Sequence, residues 1–236
     1  MSYYAISDLH LSLQTNKPMD VFGSTWTDHP SRIQKAWSSI VNAEDYVLIP
    51  GDISWAMRFH EATEDFAFLE RLPGTKVIGR GNHDYYWHSH QKMLDFLPAG
   101  MIPLDRHILQ LPDFVLGSTK GWVCPGSSGY TPSEDEKYYK LEVRRLEMVL
   151  KKMGTDVGPR VIMLHFPPTN EKLEPSLFTQ LLEDYKVRLC IFGHLHGSSL
   201  KKAYDREQNH VHYQLVSADY LDFQPLLLDS FIKKEV

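Results

Sequence analysis

The sequence predicts a mixed α/β protein with two β-sheets packed together and helices outside. Short apolar runs, mostly rich in β-branched or aromatic residues, alternate with stretches whose apolar residues recur at helical spacing. That alternation implies βαβ units, because a helix is the usual return between parallel strands. The closing stretch instead reads as strands with short turns between them. No linker, fixed-period repeat or low-complexity tract interrupts the 236 residues, so residues 1–236 are expected to form one domain. A chain of this length can bury a full core without disulfides or structural metal.

Tyr3–Ser7 is the first expected strand. Ser31–Ala43 follows as a helix with Ile33, Trp37, Ile40 and Val41 at helical spacing. Tyr46–Pro50 is the second strand, and Glu61–Leu72 the second helix, with Phe66, Leu69 and Leu72 facing the core. Lys76–Gly79 is a third strand, and His107–Leu111 and Phe114–Ser118 are two more. Gly117–Gly121 hints at phosphate binding but lacks the P-loop spacing, so a hairpin turn is expected there. Ser133–Lys152 begins with a capping box, Ser133 and Glu136, and carries Leu146, Val149, Leu150 and Met153 at i, i+3, i+4 and i+7. Val161–His165, Leu189–Phe192, His212–Ser217 and Pro225–Leu228 complete the strands. Residues 13–30 are irregular and polar, and residues 121–133 are expected to be a mobile surface loop.

Composition excludes several classes. Lys plus Arg number 25 and Asp plus Glu 30, a formal charge of −5, so no strong nucleic-acid binding is expected. No apolar run approaches the ~20 residues of a membrane-spanning helix, and Met1–Asp8 contains no secretory signal. The two cysteines, Cys124 and Cys190, cannot form a disulfide framework or a Cys-rich zinc site, and they suit a reducing compartment. A cytoplasmic protein with no membrane partner is expected, and nothing in the sequence indicates its oligomeric state. The count that stands out is His, at 12, the commonest metal ligand and the usual proton carrier near neutral pH.

At five places a predicted strand ends and polar ligand-type residues follow at once: Asp8-Leu9-His10, Gly51-Asp52, Arg80-Gly81-Asn82-His83-Asp84, His165, and Gly193-His194-Leu195-His196. In open α/β sheets functional residues gather at the carboxyl ends of strands, so these segments can converge. In Asp8-x-His10 and His194-x-His196 the two residues share a face of extended chain. Carboxylate and imidazole suit Mn, Fe, Zn or Ni. Asp8, His10, Asp52, Asn82, His165, His194 and His196 make seven candidates, more than the about three that one ion with an open position needs. Seven fit two ions sharing one carboxylate, and Asp52 is the natural bridge because its two oxygens have spare lone pairs. Ions roughly 3.5–4 Å apart can clamp the attacking and leaving oxygens of an in-line phosphoryl displacement.

This ordered set resembles the calcineurin-like metallophosphoesterase family, whose pattern is D-x-H, G-D, G-N-H-[DE], a lone His and G-H-x-H. The wording around the motifs (KPMDVFG, GDISWAM, GNHDYYW) is similar to an uncharacterised bacterial branch. The resemblance implies the metallo-dependent phosphatase fold, a four-layer α/β/β/α sandwich of two mixed sheets. It implies two divalent or trivalent ions (Mn, Fe or Zn), Asp8, His10 and His196 holding one, Asn82, His165 and His194 the other, Asp52 between. A hydroxide bridging the ions would then hydrolyse a small phosphomonoester or phosphodiester. His83 would stabilise the developing charge or protonate the leaving oxygen, and Asp84 would hold its imidazole in the correct tautomer. Three alternatives remain: a metal-dependent nuclease, a nucleotide-lipid pyrophosphatase, and a non-catalytic scaffold on the same fold.

Other residues are weighed beside these. Arg80 is a candidate substrate contact because a guanidinium suits phosphate oxygens. Asp20, Trp26, Asp28 and His29 are candidates for the rim. His88-Ser89-His90 falls on an expected helix, where i and i+2 do not face each other, and His210-Val211-His212 is expected on the solvent face. Cys190 is expected in the core.

Overall fold

The central strands are buried on both faces, so they appear in the sequence as continuous apolar runs. The computed structural model describes residues 1–154, 158–202 and 204–233. Its first half runs β1 (Tyr3–Ala5), α1 (His29–Ile40), β2 (Tyr46–Ile49), α2 (Thr63–Glu70), β3 (Thr75–Ile78), α3 (His90–Phe96) and β4 (Met101–Pro103). Then come β5 (Ile108–Gln110), β6 (Val115–Thr119), α4 (Pro132–Lys152), β7 (Arg160–Leu164), α5 (Leu177–Asp184) and β8 (Leu189–Phe192). The chain closes with β9 (Asp205–Gln208), β10 (Val211–Leu215), β11 (Leu226–Leu227) and α6 (Asp229–Ile232). One sheet has the order β11-β1-β2-β3-β4, parallel except for β11. The other has the order β5-β6-β7-β8-β10-β9, parallel except for β5 and β9 at its edges.

Alternate residues of each strand build alternate layers. Tyr3, Ala5, Leu48 and Val77 meet Leu116, Val161, Met163, Leu189 and Ile191 between the sheets. Their neighbours Tyr4, Ile6, Val47, Ile49 and Ile78 point outward onto Ile33 and Trp37 of α1 and Phe66 and Leu69 of α2. On the far side Ile162, Leu164, Cys190 and Phe192 pack on Leu146, Val149 and Leu150 of α4 and on Phe178 and Leu182 of α5. The result is the expected α/β/β/α sandwich. Burying each such side chain contributes about 1.5–3 kcal/mol. None of the described helices is long and apolar enough to cross a membrane.

Several local expectations are corrected. Helix α4 begins one residue earlier than expected, with Pro132 in its first turn and Thr131 as its N-cap. The Thr131 N–H donates to the Asp135 carboxylate at 2.7 Å, in place of a Ser133–Glu136 box. Gly117–Thr119 continues β6 instead of turning. His90 opens α3, with His88 outside it. The loop 121–133 is tied down: Trp122 Nε1 donates to Asp135 at 2.9 Å, and Asn170 Nδ2 donates to the Pro125 carbonyl at 3.1 Å. Cys124, within that loop, is buried, and burial pushes its thiol up to about 12.

The two sheets touch at their carboxyl ends. Ser7, just past β1, forms a parallel bridge with Ser217, just past β10. The Ser7 N–H donates to the Val216 carbonyl at 2.7 Å, and the Ala218 N–H donates to the Ser7 carbonyl at 2.9 Å.

Candidate metal centre

All five motifs lie at this junction, and the backbone there is bent sharply. Asp8, His10, Asp52 and His194 have φ of 59°, 45°, 52° and 72°, the left-handed region that residues with a Cβ resist. Such residues cost of order 1–3 kcal/mol each and persist only where their surroundings over-determine them. Here the surroundings do so. Asp8 and His10 N–H donate to the Gly51 and Asp52 carbonyls, both at 3.0 Å. A Cβ on Gly193 would run into the Asp8 carboxylate and the Ser7 hydroxyl, so only glycine lets the β8 turn close on Asp8.

Asp84 is the hub of the neighbouring loops. Its carboxylate accepts the N–H groups of Gly81 at 2.7 Å, Asp52 at 2.9 Å and Ile53 at 2.9 Å, and the Tyr86 hydroxyl at 2.8 Å. The expected bond to the His83 imidazole is not among its contacts with the described residues. Asp84 is spent on backbone donors, so it fixes where Asp52 and residues 81–84 stand. Burial, with the Asp52 carboxylate close by, raises Asp84 to about 6.

Two sets of ligand atoms converge, Asp8 with His10 and His196, and Asp8 with Asp52 and His165, each within 4.8 Å of one another. Asn82 joins the second set, its Oδ1 lying 2.7 Å from His165 Nε2 and 2.9 Å from His194 Nδ1. Asp52 Oδ2 reaches both, 3.4 Å from His165 Nε2 and 3.9 Å from His10 Nε2. Asp8, common to both sets, is a link that the sequence reading gave to Asp52 alone. Its carboxylate also accepts the His194 N–H at 3.0 Å and the Ser217 hydroxyl at 3.1 Å.

The donor set fits cations. His165 Nδ1 lies 3.2 Å from the Pro50 carbonyl, which can only accept, so Nδ1 carries a hydrogen and Nε2 faces Asn82 and Asp52. Burial opposes a second proton there, but the Asp52 carboxylate outweighs it and raises this imidazole. His196 Nδ1 likewise donates to Asp219 Oδ1 at 3.0 Å, and its Nε2 lies 3.0 Å from Asp8 Oδ1 and 3.3 Å from His10 Nε2. Lone pairs aimed at lone pairs repel unless a positive charge lies among them. Burial pushes the imidazoles of His10 to about 4 and His194 to about 3, leaving both neutral and able to ligate. Burial also works against a proton on His196, but Asp8 and Asp219 outweigh it and lift that group to about 10. A bound cation takes such a proton's place.

Around the cage, Trp55 packs on two imidazoles. Its ring stacks on His10 at 4.8 Å and lies against His83 at 4.4 Å. His83 is fixed by its N–H, which donates to Asp52 Oδ1 at 2.8 Å, and burial pushes its imidazole below the ordinary range. A cavity of about 380 Å³ opens over Asp52 and His83, walled by Met19, Phe22, Trp26 and Trp55. A second, of about 220 Å³, lies along Ser127, Ser128, Asn170, Glu171 and Lys202, and His194 borders both.

The sequence model of the calcineurin-like phosphoesterase family matches residues 1–198. The chain belongs to this family. No curated protein matches it by sequence. Among solved structures, the phosphopantetheinyl hydrolase of Mycobacterium tuberculosis shares the fold at a TM-score of 0.58 and 15% identity, covering 99% of this chain and 98% of its own. A protein of unknown function from Aquifex aeolicus aligns at 0.52 and 16%, covering 96% and 95%. The anchor in the inner membrane complex of Plasmodium aligns at 0.52 and 12%, covering 93% and 72%.

The seven expected ligands of this phosphoesterase-family chain are thus brought together. Arg80 lines neither cavity; burial, with the Arg80 charge as a lesser cause, disfavours the Lys120 ammonium. Of the rim candidates, Trp26 lines the larger cavity and the buried His29 lies 3.2 Å from the Trp26 carbonyl, while Asp28 accepts the Ser31 hydroxyl at the start of α1 and Asp20 is exposed. His212 pairs with Asp205 across the last hairpin, and His210 is in its turn. Sequence reasoning missed Asp219 and Trp55. Asp219 lies directly behind the last long strand, the position that marked the other motifs, but with no second ligand-type residue at its side.

Proposed function

We propose that this protein hydrolyses small phosphoesters with the help of two metal ions. The observation that carries this is the pair of converging ligand sets that share Asp8. Asp8, His10 and His196 would hold one ion, Asn82, His165 and His194 the other, with Asp52 spanning them. Ions held there would supply Lewis-acid chemistry, making water a better nucleophile and offsetting charge on phosphoryl oxygens. The chain's own groups supply the rest. His83, over the cage and facing the larger cavity, stabilises charge on the phosphoryl group or passes a proton to the departing oxygen. Positioned acid–base groups contribute typically ~10²–10⁴-fold. An anionic phosphate beside His83 favours the protonated imidazole that this role requires. Asp84 acts as a positioning residue for Asp52 and His83.

The hydrolase from Mycobacterium and the Plasmodium anchor share one frame, so fold alone does not separate catalysis from scaffolding. The complete ligand set favours catalysis here. The charge of −5 weighs against a nuclease. Two unpaired, buried thiols support a cytoplasmic location. Metal analysis after Mn²⁺ loading, with hydrolysis of an activated aryl phosphate and of an aryl phosphodiester, tests the reading. Two ions per chain and turnover are expected; an empty cage after loading overturns it.

A further inference from the structure

The two cavities beside the cage share one lining residue, His194, and the 194–199 segment that separates them, while their outer walls come from different loops. The larger is walled by aromatic and apolar side chains from residues 19–26 and by Trp55. The smaller takes its wall from residues 123–129 and from Asn170, Glu171 and Lys202. That wall is constructed: the Ser128 hydroxyl donates to Glu171 at 2.5 Å, and the Lys202 ammonium donates to the same carboxylate at 3.0 Å.

A phosphomonoester has a single carbon-bearing arm, and that arm would leave one of these cavities without substrate. A diester has two. We propose that the substrate is a phosphodiester with unlike arms, a flat apolar or aromatic alcohol between Trp26 and Trp55, and an arm with hydrogen-bonding groups along Ser127, Asn170 and Lys202. This rests on the phosphoesterase reading. His83 lines only the larger of the two cavities, so the aromatic-side alcohol is the leaving group. A water oxygen bonds to phosphorus, the bond from phosphorus to the aromatic-side oxygen breaks, and that oxygen takes up a proton. The other arm departs as a phosphomonoester.

The test compares bis(p-nitrophenyl) phosphate with p-nitrophenyl phosphate on the full, Mn²⁺-loaded chain, because both release the same alcohol. The expected kcat/KM is at least tenfold higher for the diester; an equal or faster monoester overturns the proposal. If neither is cleaved by chain carrying both ions, the phosphoesterase reading falls and this proposal falls with it. Gly129→Phe checks the second cavity. Gly129 lines that cavity, and a Cβ there meets no atom within 4 Å, so a bulky side chain can be placed at its wall without a clash. It is expected to cut the diester-to-monoester ratio at least tenfold. It is also expected to weaken calorimetric binding of diphenylphosphinate, which has two non-hydrolysable arms, at least fivefold. An unchanged ratio, or unchanged binding in a variant that melts like the parent, overturns the proposal.

Discussion

His196 and Asp219 form a hydrogen-bonded pair across 3.0 Å, and the same carboxylate accepts the Gly197 N–H at 2.9 Å. The pair holds a hydrogen on Nδ1 and turns Nε2 toward Asp8 and His10, where a cation can replace the Nε2 proton. Partners of this kind typically contribute 10–100-fold in metal affinity. Asp219→Ala is therefore expected to raise the Kd for an ion by about that factor in chelator competition, with less change in kcat at saturating metal. A variant that binds ions like the parent would show that the contact is incidental.

The His83 main-chain N–H donates to the Asp52 carboxylate, yet the two residues are expected to fail differently. Asp52→Asn should lose ion uptake and turnover together, because its carboxylate lies within reach of both imidazole sets. His83→Ala should keep both ions and lose about 10²–10⁴-fold in turnover, most on esters with poor leaving groups. Loss of the ions in His83→Ala would contradict its assigned place.

Asp84→Ala should act first on stability. It strands three buried backbone N–H groups and a tyrosine hydroxyl, and each unsatisfied donor costs about 1–3 kcal/mol. A fall in the denaturant midpoint is expected together with weakened ion binding. If the variant melts like the parent and loses only the turnover that depends on His83, the imidazole-orienting role expected from sequence is restored.

Lys76, on β3, supplies a pH signature away from the cage. Burial holds its ammonium down to about 8, and the group donates to the Leu72 carbonyl. Between pH 8 and the unfolded value of about 10.4 the unfolded chain binds the extra proton, so this group makes stability rise with pH in that window. The parent minus Lys76→Met difference in unfolding free energy should climb by on the order of 1–3 kcal/mol from pH 8 to 10.5. A flat difference would mean that the ammonium is solvated.

The cage was legible because each motif is short-range: Asp8 with His10, Asn82 with His83 and Asp84, His194 with His196. Each motif also follows a strand whose two buried faces make it a plain apolar run. Asp219 was not legible, since its partner His196 is 23 positions away and nothing local pairs with it. Strands β4 and β9 escaped for a different reason. Met101-Ile102-Pro103 is brief and ends in proline, and Asp205-Arg206-Glu207-Gln208 is wholly polar, both suited to sheet edges, where charge and proline prevent further pairing. The anchoring of the 121–133 loop was not legible because two of its partners, Glu171 and Asn170, lie over 40 positions downstream.

Asp8, His10, Asp52 and Asn82 follow strands of one sheet, whereas His165, His194 and His196 follow strands of the other, and the sheets meet at Ser7 and Ser217. Ions seated across that seam would rivet the two halves of the molecule. Loading should thus slow hydrogen exchange on both sides at once, making the cofactor a mechanical part of the protein as well as a chemical one.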